Sequence, residues 1–371
     1  MSQRQAYQQP YTKDQIRNLP EKPRGAGFYL LRVFLVILGL FLGFSGYIWN
    51  MLGKPGFVSV PVISGDETVS GDDGTDSGTD LTVGDVEGDG GVVKVYAPSD
   101  YPIQAVDQMD SQVTNILIFG VDSRGEDDTT SRSDSMMVMS LNRKTKSVKL
   151  TSLMRDTQVT ISGYEDEATK LNAAYAYGGV GLMINTINQN YQLDIQKFMM
   201  FDFWSAADLI DQVGGIELDI TEEELPYVND NMVEVNRISG LADDDGALAA
   251  AGTQTVTGKQ AIAWARIRSI GNDQGRTARQ RTVVIKMLEK FSAQSLPEKL
   301  STVNEGLGHI ETNLTQADML SLGLKNINLL GNFEQMRIPE DGYYQTNEDN
   351  WNMIVDWDSE LPRLHDFIFE D

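Results

Sequence analysis

Asn115–Val121 (NILIFGV), Ser135–Leu141 (SMMVMSL) and Ser147–Met154 (SVKLTSLM) are three apolar runs lying close together in the sequence. Each is too short for an amphipathic helix and suits a buried strand. The polar loop DSRGEDDTTSRSD joins the first to the second, and Asn142-Arg143-Lys144-Thr145 reads as a hairpin turn before the third. This order has a geometric consequence. The end of the first strand, the start of the second and the end of the third fall on one edge of a sheet. Asp122, Arg124, Arg132, Asp134, Arg155 and Asp156 then become neighbours in space.

Outward from this core the chain alternates helical and strand patterns, which indicates an α/β fold. Lys170–Gln192 has helical spacing broken at Gly178-Gly179-Val180-Gly181. Phe198–Phe203 reads as a strand, Trp204–Val213 as an amphipathic helix closed by Gly214-Gly215, and Ile216–Ile220 as a short strand. Glu222–Leu248 reads as an acidic surface excursion. The run from Gly252 to Gln260 lacks the spacing and the Ser/Thr of a phosphate loop, so Thr257 is expected to cap a short helix from Gly258 to about Ile262. Ser292–Asp371 reads as the completion of the same domain.

Ala263–Arg281 (AWARIRSIGNDQGRTARQR) carries five arginines and one acid, Asp273, in a chain of net charge −24. Arginine's planar fork grips phosphate or carboxylate oxygens in pairs. The alternation from Trp264 predicts a strand presenting Arg266 and Arg268 on one face. Arg276–Phe291 is then expected as a helix with Arg276, Gln280, Val284 and Met287 in one stripe. Its N–H groups would point at a bound anion. Arg281 faces away from this cluster.

The chain has 371 residues, no Cys and two His, His309 and His365. Disulfides, thiolate nucleophiles and cysteine metal sites are excluded, and a Ser-His-Asp enzyme is disfavoured. The acidic balance argues against nucleic acid as a partner. Val33–Trp49 has no charge, and residues 28–52 together can cross the hydrocarbon core of a bilayer. Arg4, Lys13, Arg17, Lys22, Arg24 and Arg32 precede it, so residues 1–27 read as a cytoplasmic tail and the rest as extracellular. Residues 53–110 hold nine Asp/Glu between Asp66 and Asp89 and read as a disordered Gly/Asp-rich spacer, with the folded domain at 111–371.

NILIFGVDSR, SRSDSMMV, SLMRDT, KLNAAYAYGG, VGGIELDI, VTGKQAIAWARIR and GRTARQR stand in the order found in LytR-CpsA-Psr (LCP) proteins, which the chain resembles from about Thr114 to Lys290. The resemblance implies an α/β/α sandwich around a mixed sheet, outside the cell on a single-pass anchor in a Gram-positive type envelope, with an apolar pocket for a lipid tail. It implies transfer of a glycopolymer from a polyprenyl-pyrophosphate carrier to a hydroxyl of peptidoglycan. Asp122 and Asp134 would hold Mg²⁺ (or Mn²⁺). Arg132, Arg155, Arg266, Arg268, Arg276 and Gln280 would bind pyrophosphate, with Arg124 and Arg279 as additions; Arg132, Arg155, Arg266 and Arg268 are the catalytic candidates. The role of Asp273 stays open. So do a protein acceptor, a non-catalytic role as envelope regulator, and hydrolysis of the carrier, since water and a sugar hydroxyl attack the same phosphorus.

Overall fold

The computed structural model describes residues 45–63, 83–88, 91–96, 101–121, 133–161, 169–238, 240–329, 331–347 and 351–370. Most of the apolar segment 28–52 lies outside them; residues 45–51 are helical. Among the described residues no helix is long and apolar enough to cross a membrane.

Seven strands form a mixed sheet: β1 (Gly56–Phe57), β2 (Val113–Val121), β3 (Ser133–Asn142), β4 (Ser147–Leu153), β5 (Lys197–Phe201), β8 (Glu311–Thr312) and β9 (Phe333–Ile338). Their spatial order is β1-β8-β5-β2-β3-β4-β9. β2, β3 and β4 are successive antiparallel neighbours, whereas β5 runs parallel to β2 and β9 parallel to β4. The carboxyl ends of β2, β4, β5 and β9 therefore share one edge, where Val121 pairs with Ser133 and Leu153 with Met136. The edge expected from the sequence is the edge observed.

Alternation along the strands builds two apolar faces. Leu117, Phe119 and Val121 of β2 and Met136 and Val138 of β3 pack in one core with helices α1 (Ala173–Tyr191) and α8 (Trp357–Phe369). The expected break in α1 lies at Gly178 and Gly179, whose backbone angles are not helical. Ile116 and Ile118 point to the opposite face.

The spacer expected over 53–110 is corrected in part. β1 pairs with β8, Val62–Ile63 pairs with Ile103–Gln104, and Ile103 is fully buried in the main core. The chain at Tyr101 approaches α1 so closely that a Cβ on Gly181 would stand 1.8 Å from the Tyr101 carbonyl oxygen. Only glycine permits that contact.

A second core sits over the opposite face. It joins α2 (Phe203–Gln212), the hairpin of β6 (Ile216–Ile220) with β7 (Gly252–Val256), α3 (Leu225–Ile238), α4 (Gly258–Ala265) and α5 (Asn272–Ala293). The acidic excursion of the sequence reading is corrected here. Residues 225–238 are helical and bury Val228, Met232 and Val235, a stripe at helical spacing inside a polar composition. Gly258 lets α4 cross α2, since a Cβ there would meet the Ala207 carbonyl oxygen at 1.9 Å. α6 (Leu296–Gly306) and α7 (Gln316–Asn326) complete this layer.

Candidate functional site

The strand expected from Trp264 is helix instead. A capping box starts α4: Gln260 N–H donates to Thr257 Oγ1 and Thr257 N–H to Gln260 Oε1. The helix continues because Ala261, Ala263, Trp264 and Ala265 all bury. Arg266 caps its end, with its N–H donating to the Ile262 carbonyl at 3.1 Å. Arg266 and Arg268 therefore do not share a strand face. Arg266 is tucked in at 18% side-chain exposure with Nη2 3.3 Å from Glu234 Oε2, and Arg268 is exposed in the following turn.

Helix α5 starts four residues earlier than expected, after Gly271 with φ 73°. Its first turn is thus Asn272–Gly275, and Asp273 lies in it. Asp273 Oδ1 stands 2.7 Å from Arg276 Nη2 and 3.3 Å from Arg155 Nε. One carboxylate links the start of α5 to the end of β4. Arg276 is 2% exposed. Asp156 meets Arg155 Nε at 3.5 Å and receives Lys170 Nζ at 2.7 Å.

Arg279, grouped by sequence with the anion-binding candidates, lies in a different network. Its Nε donates to Glu224 Oε1 at 2.8 Å, and Nη1 to the carbonyls of Ile267 and Ile270. Burial pushes the Glu224 carboxyl up, but hydrogen bonds, that from Arg279 foremost, and the Arg279 charge together outweigh it and hold the group below the usual range. Arg279 braces the turn that carries Arg268.

Between the sheet and helices α2, α5 and α6 lies an apolar cavity of about 360 Å³. Ile118, Met137, Met139, Val284, Met287 and Phe291 line it, with Arg266, Gln280 and Ser135 among its few polar walls. Gln280 sits one turn beyond Arg276 on α5, so the arginine cluster and the cavity adjoin. The apolar run Ser135–Leu141 suits a buried strand, and the Met137 and Met139 face of that strand lines a cavity.

Asp122, Arg124 and Arg132 lie outside the described residues, and only the backbone of Asp134 is described, within β3. The residue before Asp122 pairs with the residue before Asp134, Val121 with Ser133. Among the described residues no group of three or more His, Asp or Glu forms a metal site by itself.

Comparison with known proteins agrees with the fold. The sequence pattern of the LytR_cpsA_psr family matches residues 86–358. The polyisoprenyl-teichoic acid–peptidoglycan teichoic acid transferase TagU of Bacillus mycoides is 34% identical over 239 residues, 63% of this chain and 71% of that protein. The crystal structure of Bacillus subtilis TagV superposes with a TM-score of 0.55 at 25% identity, covering 70% of this chain and 98% of that one. A structure of TagT bound to LIIa-WTA gives 0.56 at 21% identity over 71% and 94%, a likeness of fold. The chain is an enzyme of the LytR-CpsA-Psr family.

Proposed function

We propose that the chain transfers a wall glycopolymer, a teichoic acid or a related polysaccharide, from a polyprenyl-pyrophosphate carrier to a hydroxyl of peptidoglycan. The observation that carries this reading is the apolar cavity with Arg266 and Gln280 on its wall, beside the Asp273-linked pair Arg155 and Arg276. A prenyl tail is uniform hydrocarbon and needs such a cavity. A pyrophosphate diester carries two negative charges and needs clustered guanidiniums at its end.

In this reading the acceptor hydroxyl attacks the glycan-side phosphorus, the P–O bond to the carrier phosphate breaks, and polyprenyl phosphate leaves. Arg155, Arg266, Arg268 and Arg276 stabilise the charge that grows on the leaving phosphate. Asp273 holds two of them at fixed separation. Arg124 and Arg132, which lie between β2 and β3 in the sequence, join them. Asp122 and Asp134 would hold Mg²⁺, which would supply further neutralisation of phosphate charge. The anchor at residues 28–52 keeps the enzyme in the cell membrane with its domain outside, within reach of carrier and wall.

The test is incubation of the purified full chain with Mg²⁺, a lipid-pyrophosphate glycan and peptidoglycan oligomers. Glycan joined to the oligomer through a phosphodiester is the expected product. Free phosphoglycan in its place would make the enzyme a hydrolase, and no turnover would leave a binding or regulatory role.

A further inference from the structure

Across α5 from the apolar cavity lies another, of about 730 Å³, bounded also by the outer strand β9 and by α8. Gln274, Ala278 and Arg281 line it, whereas Gln280, Val284 and Met287 line the apolar one. At 100° per residue, positions 278 and 280 look to opposite sides of the helix. The two cavities are thus separated by the thickness of α5.

The chemistry of this polar cavity is specific. Arg281 Nε donates to Gln335 Oε1 at 3.0 Å, while its Nη1 is buried and has no hydrogen-bond partner among the described residues. Arg337 stands nearby, with Nη2 2.8 Å from Asp341 Oδ1. Burial and the Arg337 charge hold the Arg281 guanidinium below the usual arginine range. A buried cationic donor left unmet is costly, and an anion that reached it would relieve both the desolvation and the repulsion. Asp366 and Gln335 add acceptors and donors, and Phe367 supplies an apolar face. Guanidinium, amide, carboxylate and ring together suit a hydroxylated ligand that also carries a carboxylate.

The cavity reaches the reactive edge. Gln274 Nε2 donates to Asp341 Oδ1 at 3.0 Å, and Gln274 follows Asp273, the carboxylate that holds Arg155 and Arg276. A ligand lying here ends where the arginines begin.

We infer that this cavity is the acceptor subsite, binding a glycan segment of the wall with its stem peptide, whose carboxylate Arg281 and Arg337 receive. The inference rests on the transferase reading for the identity of the acceptor. Its test measures binding to the full chain of a soluble muropeptide, whose stem peptide carries carboxylates, and of an N-acetylglucosamine oligomer, which has none. Wild type is expected to bind the muropeptide about tenfold or more tightly than the uncharged oligomer, the yield of one charge-assisted contact. Arg281→Gln removes that preference. Ala278→Phe, which narrows the cavity beside Arg281 without replacing a charged residue, lowers binding of both glycans. Both variants raise the acceptor KM about tenfold and leave carrier cleavage by water and the melting midpoint at wild-type values, which separates acceptor binding from catalysis. Equal binding of the two glycans by wild type overturns the inference. So do variants with a wild-type acceptor KM, or variants that lose carrier cleavage in the same proportion as transfer. An enzyme that binds muropeptide through Arg281 but never transfers glycan would instead defeat the transferase reading and leave the subsite standing.

Discussion

Arg276 Nη2 lies 2.7 Å from Asp273 Oδ1, and the same oxygen stands 3.3 Å from Arg155 Nε. Two guanidiniums from distant parts of the chain, the end of β4 and the first turns of α5, are thus held by a single carboxylate. In the proposed reaction an acid among these arginines competes with the pyrophosphate for their donors, so its value must lie in geometry. It keeps two like charges at a fixed spacing before substrate arrives, which is the preorganisation that charge stabilisation requires.

Asp273→Asn should therefore slow transfer while the protein stays folded. The neutral amide still reaches Arg276 but no longer offsets two positive charges. A fall in kcat of roughly tenfold to a hundredfold is expected, the range for residues that orient a catalytic group. Initial rates beside a thermal melt check it, and a variant with wild-type kcat would remove Asp273 from the positioning role.

Arg268→Ala and Asp134→Ala should each abolish transfer, since in the proposed reaction each supplies charge to the leaving phosphate or to its cation. Neither should lower the melting midpoint, because Arg268 is exposed in the turn after α4 and Asp134 enters β3 at the sheet edge. Chelation of divalent cations should act in the same direction as Asp134→Ala. Product analysis with the lipid-linked donor decides this, and glycan attachment at the native rate by either variant would relocate the site.

The apolar cavity makes a separate prediction about chain length. Val284→Trp narrows the space between α5 and the sheet, where Met137 and Met139 form the facing wall. KM should rise for a donor with a long prenyl tail and change little for one with a short tail, with kcat nearly constant for the latter. Equal effects on both donors would mean that the tail lies elsewhere.

The sheet and its reactive edge were legible in the sequence because β2, β3 and β4 are short uninterrupted apolar runs with a polar turn between the last two. Local rules settle such pairings. The segment 264–268 misled because alternation of apolar and basic residues fits a strand as well as a helix end. Thr257, seven residues upstream of Trp264, marks where that helix starts, but its end is set by the burial of Ala263, Trp264 and Ala265. α3 was hidden because Val228, Met232 and Val235 are diluted by Asn, Asp and Glu. The site itself was legible only as residue types. That Arg279 serves Glu224 and two carbonyls while Arg276 faces Asp273 is a matter of which side of α5 each occupies. The start of that helix at Gly271, with its left-handed backbone, could not be read from the arginine spacing.

Glu360 supplies a prediction about pH that does not involve the reactive edge. Its side chain on α8 is fully buried; Oε1 accepts hydrogen bonds from Glu340 N–H at 2.9 Å and Arg363 Nη1 at 3.1 Å, while Oε2 has no partner among the described residues. Burial pushes its carboxyl up to about 7 from the usual 4.5, with the Arg337 charge working against the shift and Asp356 adding to it. The folded state then holds the proton that the unfolded chain has released at every pH between those values. Stability from this group is complete below about pH 4.5, declines as pH rises toward 7, and is level above. The shift corresponds to at most about 3 kcal/mol. Glu360→Gln keeps an acceptor for both donors and carries no charge, so it should flatten the decline and raise the melting temperature above pH 7 by several degrees relative to wild type. Thermal melts of both proteins from pH 5 to 8 make the comparison. Parallel curves would mean that Glu360 is not the group that titrates.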